Sequence, residues 1–372
     1  MRDKVGMTAF VVVLIGVWVA GFFWVRGDFA EPKTSSADTL KAAAAAKPSS
    51  KASPTTPTTP TTPTTTSPTK AAPSAPSSEL AGKVSKLTKL DRGQPIEAMP
   101  DAPRPRPELL PPVAEFKMAT FNILGSSHSR KGGASAQRAS GVQRMSGVLQ
   151  LLSSHAISVV GIQEFQPDQR NAFNSRAVGW SMYPGLSLGR RAGENSVAWR
   201  DDTWEPVERS LVNIPYFNGR QRPMPYVLLR HRATGIKAWF STFHNPADTG
   251  NFQGQQRYRS EATSRQISLF NRLEGTGFPQ FVTGDMNERA EYFCRVTGAT
   301  RLVAAAGGSN GGGCRPPSPT QIDWIFGSPG AAFSGYTIDR SDLVRRTTDH
   351  PLITSNVSID GLKYPKAVDG AG

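Results

Sequence analysis

Cysteine is almost absent from this sequence, because its 372 residues contain only two, Cys294 and Cys314. Two cysteines this far apart, without a neighbouring histidine, are too few for a zinc site. In an exported domain we expect them to form one disulfide that closes a glycine-rich loop, and a loop-entropy model gives such a bond about 3 kcal/mol of stabilisation. A pair of buried free thiols is the alternative.

Acidic side chains are scarce relative to basic ones. The sequence has 29 Asp and Glu against 43 Lys and Arg, a formal net charge of +14. A basic balance can serve solubility alone, or it can indicate an anionic partner such as nucleic acid or phospholipid. No internal repeat is visible, which leaves the uneven composition along the chain as the guide to domain boundaries.

Charge is missing from a long stretch near the N-terminus. Residues 5–25 form an unbroken uncharged run, and about 20 helical residues span roughly 30 Å, the hydrocarbon thickness of a bilayer. A cleaved signal peptide is the alternative, since Arg2 and Lys4 precede the run, but a signal peptide has an apolar core of only about 7–15 residues. We therefore predict that residues 1–29 are an uncleaved, single-pass membrane anchor.

Apolar residues are scarce from residue 30 to residue 112, where Pro, Thr, Ser, Ala and Lys dominate. Such a segment has too little apolar surface to offset the entropy of ordering it, so we predict a disordered stalk. A Thr/Pro stalk beside an N-terminal anchor suits the outside of a cell. We therefore expect the protein in the cell membrane, with the remaining domain extracellular.

Residues 113–372 carry the pattern of one folded domain. We expect two long helices, over residues 135–154 and 255–273, where apolar residues recur at helical spacing. The expected strands are 116–123, 158–164, 195–200, 207–214, 226–231, 237–244, 279–283, 322–326, 336–338 and 351–355. About ten strands with few long helices indicate two packed sheets flanked by helices rather than a doubly wound fold.

Several predicted strands end in a polar side chain that can bind a metal or a phosphate. These side chains are Asn122, Glu164, His244, and Asp285 with Asn287. Two further segments follow, Ile322-Asp-Trp-Ile-Phe326 and Thr348-Asp-His-Pro351. Each alone is equally explained as a turn, a cap or a solvated strand end, since Asp and Asn after Gly284 are common turn formers. Their order along the chain carries the information.

In that order the segments resemble the endonuclease/exonuclease/phosphatase superfamily, the group of deoxyribonuclease I. The resemblance covers residues 113 to about 359 and neither the anchor nor the stalk. It implies a four-layer α/β/β/α sandwich with two central, mostly antiparallel sheets, and a monomeric catalytic domain. It also implies a metal site in which Glu164 is the principal ligand with Asn122 and Asp349 near the same ion, Mg²⁺ or Mn²⁺, because hard cations prefer oxygen ligands.

The resemblance also implies roles at the scissile phosphate. Asp285 would orient or deprotonate the attacking water, and Asn287 would hold a phosphate oxygen. His350 would lie beside the phosphate with its tautomer fixed by Asp323, and His244 would be a stabiliser or an acid. The general base remains open between Asp285 and the His350–Asp323 pair.

The sequence departs from the family pattern in two places, and the role of Glu194 is a separate question. Leu124 stands where many members have an acidic residue, which weakens a two-metal mechanism. The histidine strand reads Thr242-Phe-His-Asn-Pro246, one residue longer than usual, so Asn245 and Asp248 are candidates to share the role of His244. Glu194 is interpreted as a surface carboxylate rather than as a partner of a histidine.

These patterns predict a membrane-tethered, metal-dependent phosphoesterase, and specifically a nuclease with nucleic acid as its substrate. The alternative within the enzyme class is a phosphoesterase that acts on phospholipid, sphingomyelin or a sugar phosphate. A non-catalytic binding module is the alternative outside it. The sequence argues against that module, because no core position of the motifs is replaced by an inert residue.

Overall fold

The structure is a computed structural model that describes residues 111–189 and 194–368. Within these residues the chain forms twelve strands and five α-helices. The strands are β1 Val113–Asn122, β2 Val159–Gln163, β3 Trp180–Tyr183, β4 Ser196–Arg200, β5 Trp204–Pro215, β6 Gln221–His231, β7 Lys237–His244, β8 Gln280–Asp285, β9 Val303–Ala304, β10 Asp323–Gly327, β11 Ala331–Asp339 and β12 Leu352–Asp360. The helices are α1 Gly141–Ser154, α2 Pro167–Arg176, α3 Gln256–Glu274, α4 Ala290–Ala299 and α5 Asp342–Thr347.

The strands form two mixed sheets of six strands each. The first sheet has the strand order β11-β12-β1-β2-β4-β3, and the second has the order β5-β6-β7-β8-β10-β9. Each sheet has one parallel pair, β1 with β2 and β7 with β8, and its other pairs are antiparallel. The prediction of two mostly antiparallel sheets is confirmed.

Three apolar clusters bury the faces of these sheets. One lies between the two sheets, where the rings of Phe116, Trp204, Phe240 and Phe281 pack against one another. A second lies between the second sheet and the helices α3 and α4. The third lies between the first sheet and the helices α1, α2 and α5. Helices therefore cover the outer faces of two packed sheets, an α/β sandwich.

The helix expected over residues 135–154 begins at Gly141 because Ser140 caps it. The Ser140 side chain accepts a hydrogen bond from the backbone N–H of Gln143, and the Gln143 side chain accepts one from the Ser140 N–H. The second expected helix is confirmed as α3. The apolar pattern did not predict β3, β9, α2, α4 or α5, and the last strand, β12, runs five residues beyond the expected end at 355.

Gly161, in the middle of β2, permits a close approach of the two sheets. A Cβ atom at this position would overlap Thr283 Oγ1 and would lie 2.6 Å from Thr242 Oγ1. Beside it the buried Gln163 donates to Thr242 Oγ1 across the sheets, at 2.8 Å, and to Thr120 Oγ1 at 3.3 Å. The absence of a side chain at Gly161 lets the two sheets lie close together, and the hydrogen bonds of Gln163, one residue before Glu164, link them.

The two ends of the described chain lie side by side. β1 and β12 are antiparallel with Val113 opposite Asp360, and the Gly361 N–H donates to the Pro112 carbonyl at 2.9 Å. The predicted anchor, residues 1–29, and almost all of the predicted stalk lie outside the described residues. Within residues 111–189 and 194–368, no helix has the length and apolar character needed to cross a bilayer.

Cys294 in α4 forms a disulfide with Cys314, with Cα atoms 5.5 Å apart. The bond closes the glycine-rich segment between them, as expected from the sequence, and it excludes the alternative of two free thiols.

Candidate active site

The polar strand ends converge because both parallel pairs of strands finish at the same edge of the molecule. In the first sheet Asn122 ends β1 opposite Gln163 of β2. In the second sheet His244 ends β7 opposite Asp285 of β8. β10 runs antiparallel to β8, so that its first residue, Asp323, also lies opposite Asp285. The site is therefore assembled from both sheets.

Asn122 joins the two halves of the site. Its side-chain Nδ2 donates to Glu164 Oε1 at 3.0 Å and to Asp285 Oδ2 at 3.1 Å. Its Oδ1 accepts from the Leu124 backbone N–H at 3.1 Å, which fixes the orientation of the amide, since nitrogen must face the two carboxylates. The fully buried Asn122 thus holds a carboxylate of each sheet in place.

Glu164 follows β2 in a left-handed backbone conformation, with φ of 57°. This conformation is uncommon outside glycine and typical of functional positions. Its Oε2 accepts from the Gly125 N–H at 2.8 Å and lies 3.3 Å from His128 Nε2. Burial alone would raise the pKa of Glu164. The pKa is nevertheless held well below its usual range by the hydrogen bond with His128, by the positive charge that His244 carries when protonated, and by the hydrogen bonds from Gly125 and Asn122. The group is a stable carboxylate.

Asp285 is the last residue of β8 and is almost completely buried. Its Oδ1 accepts from the Asn287 backbone N–H at 3.0 Å. Burial and the nearby negative charge of Asp323 raise the pKa of Asp285, against the opposing effect of His244 and His350. A carboxylate with a raised pKa is a stronger base than an ordinary one.

Asn287 lies two residues beyond the end of β8 and does not continue the strand. Its φ of 51° is left-handed, and its Nδ2 donates to the Asn245 carbonyl at 2.9 Å. Asp285 and Asn287 therefore lie in a turn at the strand end, and the turn interpretation and the functional one describe the same feature.

His350 lies between two buried carboxylates. Its Nδ1 is 3.0 and 3.1 Å from the two oxygens of Asp323, and its Nε2 is 3.7 Å from Asp285 Oδ2. Burial opposes protonation, but the hydrogen bond and charge of Asp323, with the charges of Asp285 and Asp349, raise the pKa of His350 to about 10. The expected pairing of His350 with Asp323 is present, and the imidazole is an imidazolium at neutral pH.

His244 reaches the same carboxylate from the opposite side. Its Nε2 is 3.6 Å from Asp285 Oδ2, and its Nδ1 is 3.4 Å from the Tyr216 hydroxyl. Burial lowers the pKa of His244, although Asp285 and Glu164 oppose the shift. In spite of the longer Thr242–Pro246 segment, the register therefore brings His244 into the site.

The residues that compete with His244 in the sequence have other partners. The Asn245 side chain accepts from Gln266, and the exposed Asp248 forms an ion pair with Arg259 at 2.7 Å. Glu194 is partly buried and forms an ion pair with Arg222 at 2.8 Å, so its interpretation as a plain surface carboxylate is incomplete.

The carboxylates around Glu164 suit a hard divalent cation. Asp349 is exposed, and its charge raises the pKa of both His128 and His350, so it lies near both. The buried Asp285 and Asp323 repel each other, and a cation nearby would relieve that repulsion. Asp285 and Asp323 also present carboxylate oxygens beside His350, and one atom from each of these three side chains lies within 4.8 Å of the others. The donor set fits Mg²⁺ or Mn²⁺.

Within this set the predicted ligands differ in what they offer. Glu164 and Asp349 present carboxylate oxygens. Asn122 presents its amide nitrogen to Glu164, so in this geometry it positions the carboxylate by a hydrogen bond, and its role as a direct ligand stays a prediction.

His128 was missed by the sequence analysis. It lies in the short 3₁₀ turn Ser126–Ser129 and is the half-exposed neighbour of Glu164. A signal for it does exist: the chain has only five histidines, and three of them, His128, His244 and His350, lie at this site. His128 lies six residues after the end of β1, however, so it is not one of the strand-end residues that the apolar pattern identifies.

Solved structures similar to this one share its fold. A protein of the endonuclease/exonuclease/phosphatase family from Bacteroides thetaiotaomicron is 18% identical, with 67% of this chain and 97% of that chain covered and a TM-score of 0.52. A mannosyl-6-phosphatase from Bacteroides thetaiotaomicron is 17% identical, with 65% and 99% covered and a TM-score of 0.50. A Bacteroides vulgatus family protein is also 17% identical, with 66% and 100% covered and a TM-score of 0.50. No curated protein matches the sequence.

The sequence itself matches a family model over the segment that carries the site. The model of the endonuclease/exonuclease/phosphatase family matches residues 119–350, more than half of the chain. That range begins in β1, just before Asn122, and ends at His350, so it includes all the strand-end residues described above. The chain therefore belongs to the endonuclease/exonuclease/phosphatase family.

Proposed function

We propose that this protein is a divalent-metal-dependent nuclease that hydrolyses phosphodiester bonds by attack of water. Members of its family hydrolyse phosphoester bonds. The observation that carries the proposal is the junction at Asp285, whose Oδ2 accepts from Asn122 and lies within 4 Å of both His244 and His350. Two imidazoles and a metal-binding carboxylate around one buried acid are the groups that phosphodiester hydrolysis needs.

The chemistry requires neutralisation of charge, because the oxygens of a phosphodiester repel an incoming hydroxide. A divalent cation held at Glu164 and Asp349 supplies part of that neutralisation when it is bound. His350, protonated and fixed through Nδ1 by Asp323, supplies a donor at Nε2. Asn287 places a further polar group at the strand end next to Asp285. These fixed donors stabilise the negative charge that grows on the phosphate.

We assign the general base to Asp285. A group with a pKa of about 10 carries its proton at neutral pH, so His350 cannot accept one from water. Asp285 has a raised pKa and lies between two imidazoles. His244, whose pKa is lowered by burial, acts as a stabiliser of the phosphate.

Nucleic acid is the proposed substrate because the chain is strongly basic, with a net charge of +14. A basic protein binds a polyanion more tightly because binding releases counterions, whereas its affinity for a small sugar phosphate increases much less. We also propose that the anchor and stalk hold the catalytic domain outside the cell, where its substrate would be extracellular DNA or RNA. Epitope accessibility on intact cells tests this part separately.

The central test is a hydrolysis screen with purified full-length protein and Mg²⁺ or Mn²⁺. The panel contains plasmid DNA, RNA, phospholipid and sphingomyelin vesicles, and sugar phosphates. We expect nucleic acid to be cut, with activity lost on addition of chelator and reduced at least 10³-fold in Asp285→Asn. The exposed Asp342→Asn is the matched control and should retain activity.

If the protein hydrolyses vesicles or sugar phosphates but does not cut nucleic acid, the alternative phosphoesterase replaces the nuclease proposal. No hydrolysis of any substrate would favour a non-catalytic module.

A further inference from the structure

A groove lies on the far side of Tyr216 from His244. It has a volume of about 430 Å³ and is lined chiefly by Tyr216, Phe217, Arg220, Arg222 and Phe252. Tyr216 is the wall common to the groove and the active site, since its hydroxyl is 3.4 Å from His244 Nδ1. The groove is thus two side chains away from Asp285. We call it the ring groove.

Two loops build the ring groove. One is the turn between β5 and β6, and the other follows His244 at the end of β7. They meet where the rings of Phe217 and Phe252 stack, with centroids 4.4 Å apart and planes inclined by 8°. The Asn218 N–H also donates to Gln255 Oε1 at 3.1 Å. Both phenyl rings are only partly buried, so the stack offers an aromatic surface to a ligand.

Arginine gives the ring groove a positive charge. The Arg222 guanidinium lies 3.8 Å above the Tyr216 ring and is fixed by its ion pair with Glu194. Arg220 is exposed and has no ion-pair partner within the described part of the chain. An aromatic stack beside a free guanidinium, next to a site for phosphodiester hydrolysis, matches the two parts of a nucleotide, a planar base and a phosphate.

We propose that the ring groove binds the nucleotide next to the scissile phosphate, with its base against the Phe217–Phe252 stack and a flanking phosphate at Arg220. The inference rests on the proposed nuclease function and adds a base-binding subsite to it. A membrane is a poorer match, because the exposed large apolar side chains of the described residues lie elsewhere: Val113, Val178, Leu186, Val207, Val303 and Leu362. A loop that enters lipid would expose such side chains here.

The test compares two diesters with the same leaving group on the full-length protein. One is methyl p-nitrophenyl phosphate, and the other carries thymidine, esterified at its 3′ or its 5′ oxygen, in place of methyl. We expect the thymidine diester to have a kcat/KM about tenfold higher than that of the methyl diester, because its base stacks on the phenyl rings. Phe252→Leu should abolish most of this difference in kcat/KM between the two diesters, whereas Phe252→Tyr, which keeps the ring, should preserve it.

An unchanged ratio in Phe252→Leu would overturn the inference, and so would a selective loss of vesicle hydrolysis. If neither diester is hydrolysed and plasmid DNA and RNA are not cut either, the proposed function itself fails, which is a distinct result.

Arg220 provides a second test that does not disturb the aromatic packing. Arg220→Gln should reduce the slope of log KM against log salt for a single-stranded oligonucleotide by about one, because one phosphate contact is lost. Arg301→Gln is the matched control, since Arg301 is 76% exposed and lies outside the ring groove. Equal slopes for Arg220→Gln and the unmodified protein would show that Arg220 does not bind a phosphate of the substrate.

Discussion

The charge of His350 is strongly determined by its surroundings. Asp323 binds its Nδ1, and Asp285 and Asp349 add negative charge around the ring. Its folded-state pKa of about 10 lies above the value of 6.5 for an unperturbed histidine. The stabilisation of the fold by the imidazolium is therefore complete below about pH 6.5 and is lost as the pH rises through about 10.

We predict that His350 keeps its proton at pH 8 in the metal-free protein. The Cε1–H signal should titrate well above pH 8 in an NMR experiment, with His350→Gln used for assignment, and Asp323→Asn should lower this pKa. His231 is the control in the same spectrum, since burial lowers its pKa below 6.5. A His350 signal that titrates near pH 6.5 would return the role of general base to the His350–Asp323 pair.

Among the elements, the junction of β7 and β8 shows why the sequence reads Gly-Asp-x-Asn. Gly284 has φ of 153°, and a Cβ atom there would overlap the Phe243 carbonyl oxygen of the neighbouring strand and lie 2.8 Å from Met286 Cε. The absence of a side chain lets β8 approach β7 closely just before Asp285. The glycine is therefore part of how the site is positioned.

Gly284→Ala should lower the free energy of unfolding by more than about 2 kcal/mol, because the backbone atom that it meets cannot move aside. Urea unfolding followed by circular dichroism measures this change. Gly250→Ala is the matched control: its Cβ would meet nothing within 4 Å, and we expect a change within about 0.5 kcal/mol. Equal stability of the two variants would contradict the close approach.

The sequence predicted the strands well because their apolar runs are buried and end in polar residues at one edge. It missed α2, since this helix is mostly polar and buries few apolar side chains, chiefly Ala172 and Phe173. It missed α4 because ten residues give only three turns of periodicity. The left-handed conformations of Glu164 and Asn287 depend on tertiary contacts, which no local pattern reports.

At the scale of the whole molecule, the site depends on the docking of two sheets. Glu164 and Asn122 come from the first sheet, and Asp285, Asp323 and His244 come from the second. Asn122 and the buried Gln163 cross the interface by hydrogen bonds to Asp285 and Thr242. A cation bound at this junction acts on the folded state alone, so its binding should stabilise the whole domain.

We predict that Mg²⁺ or Mn²⁺ raises the thermal midpoint of unfolding. At a concentration 100 times its Kd, an ion that binds only the folded state adds about 2.7 kcal/mol. Glu164→Gln should remove most of this increase, whereas Glu115→Gln, an exposed change on the same sheet, should keep it. Differential scanning calorimetry with and without the ion gives the result, and an equal increase in both variants would place the ion elsewhere.

β1 also determines where other molecules can be attached to the domain. Its ten residues span roughly 30 Å, with Asn122 at the site and Val113 at the far end. Gly361 lies beside Pro112, so both ends of the described chain leave the domain remote from Asp285. A fluorescent protein, an affinity tag or a solid support joined at either end would therefore leave the mouth of the site open to a long polymer. Joining the two ends and opening the chain at a loop away from the site would give a circular permutant with an intact site.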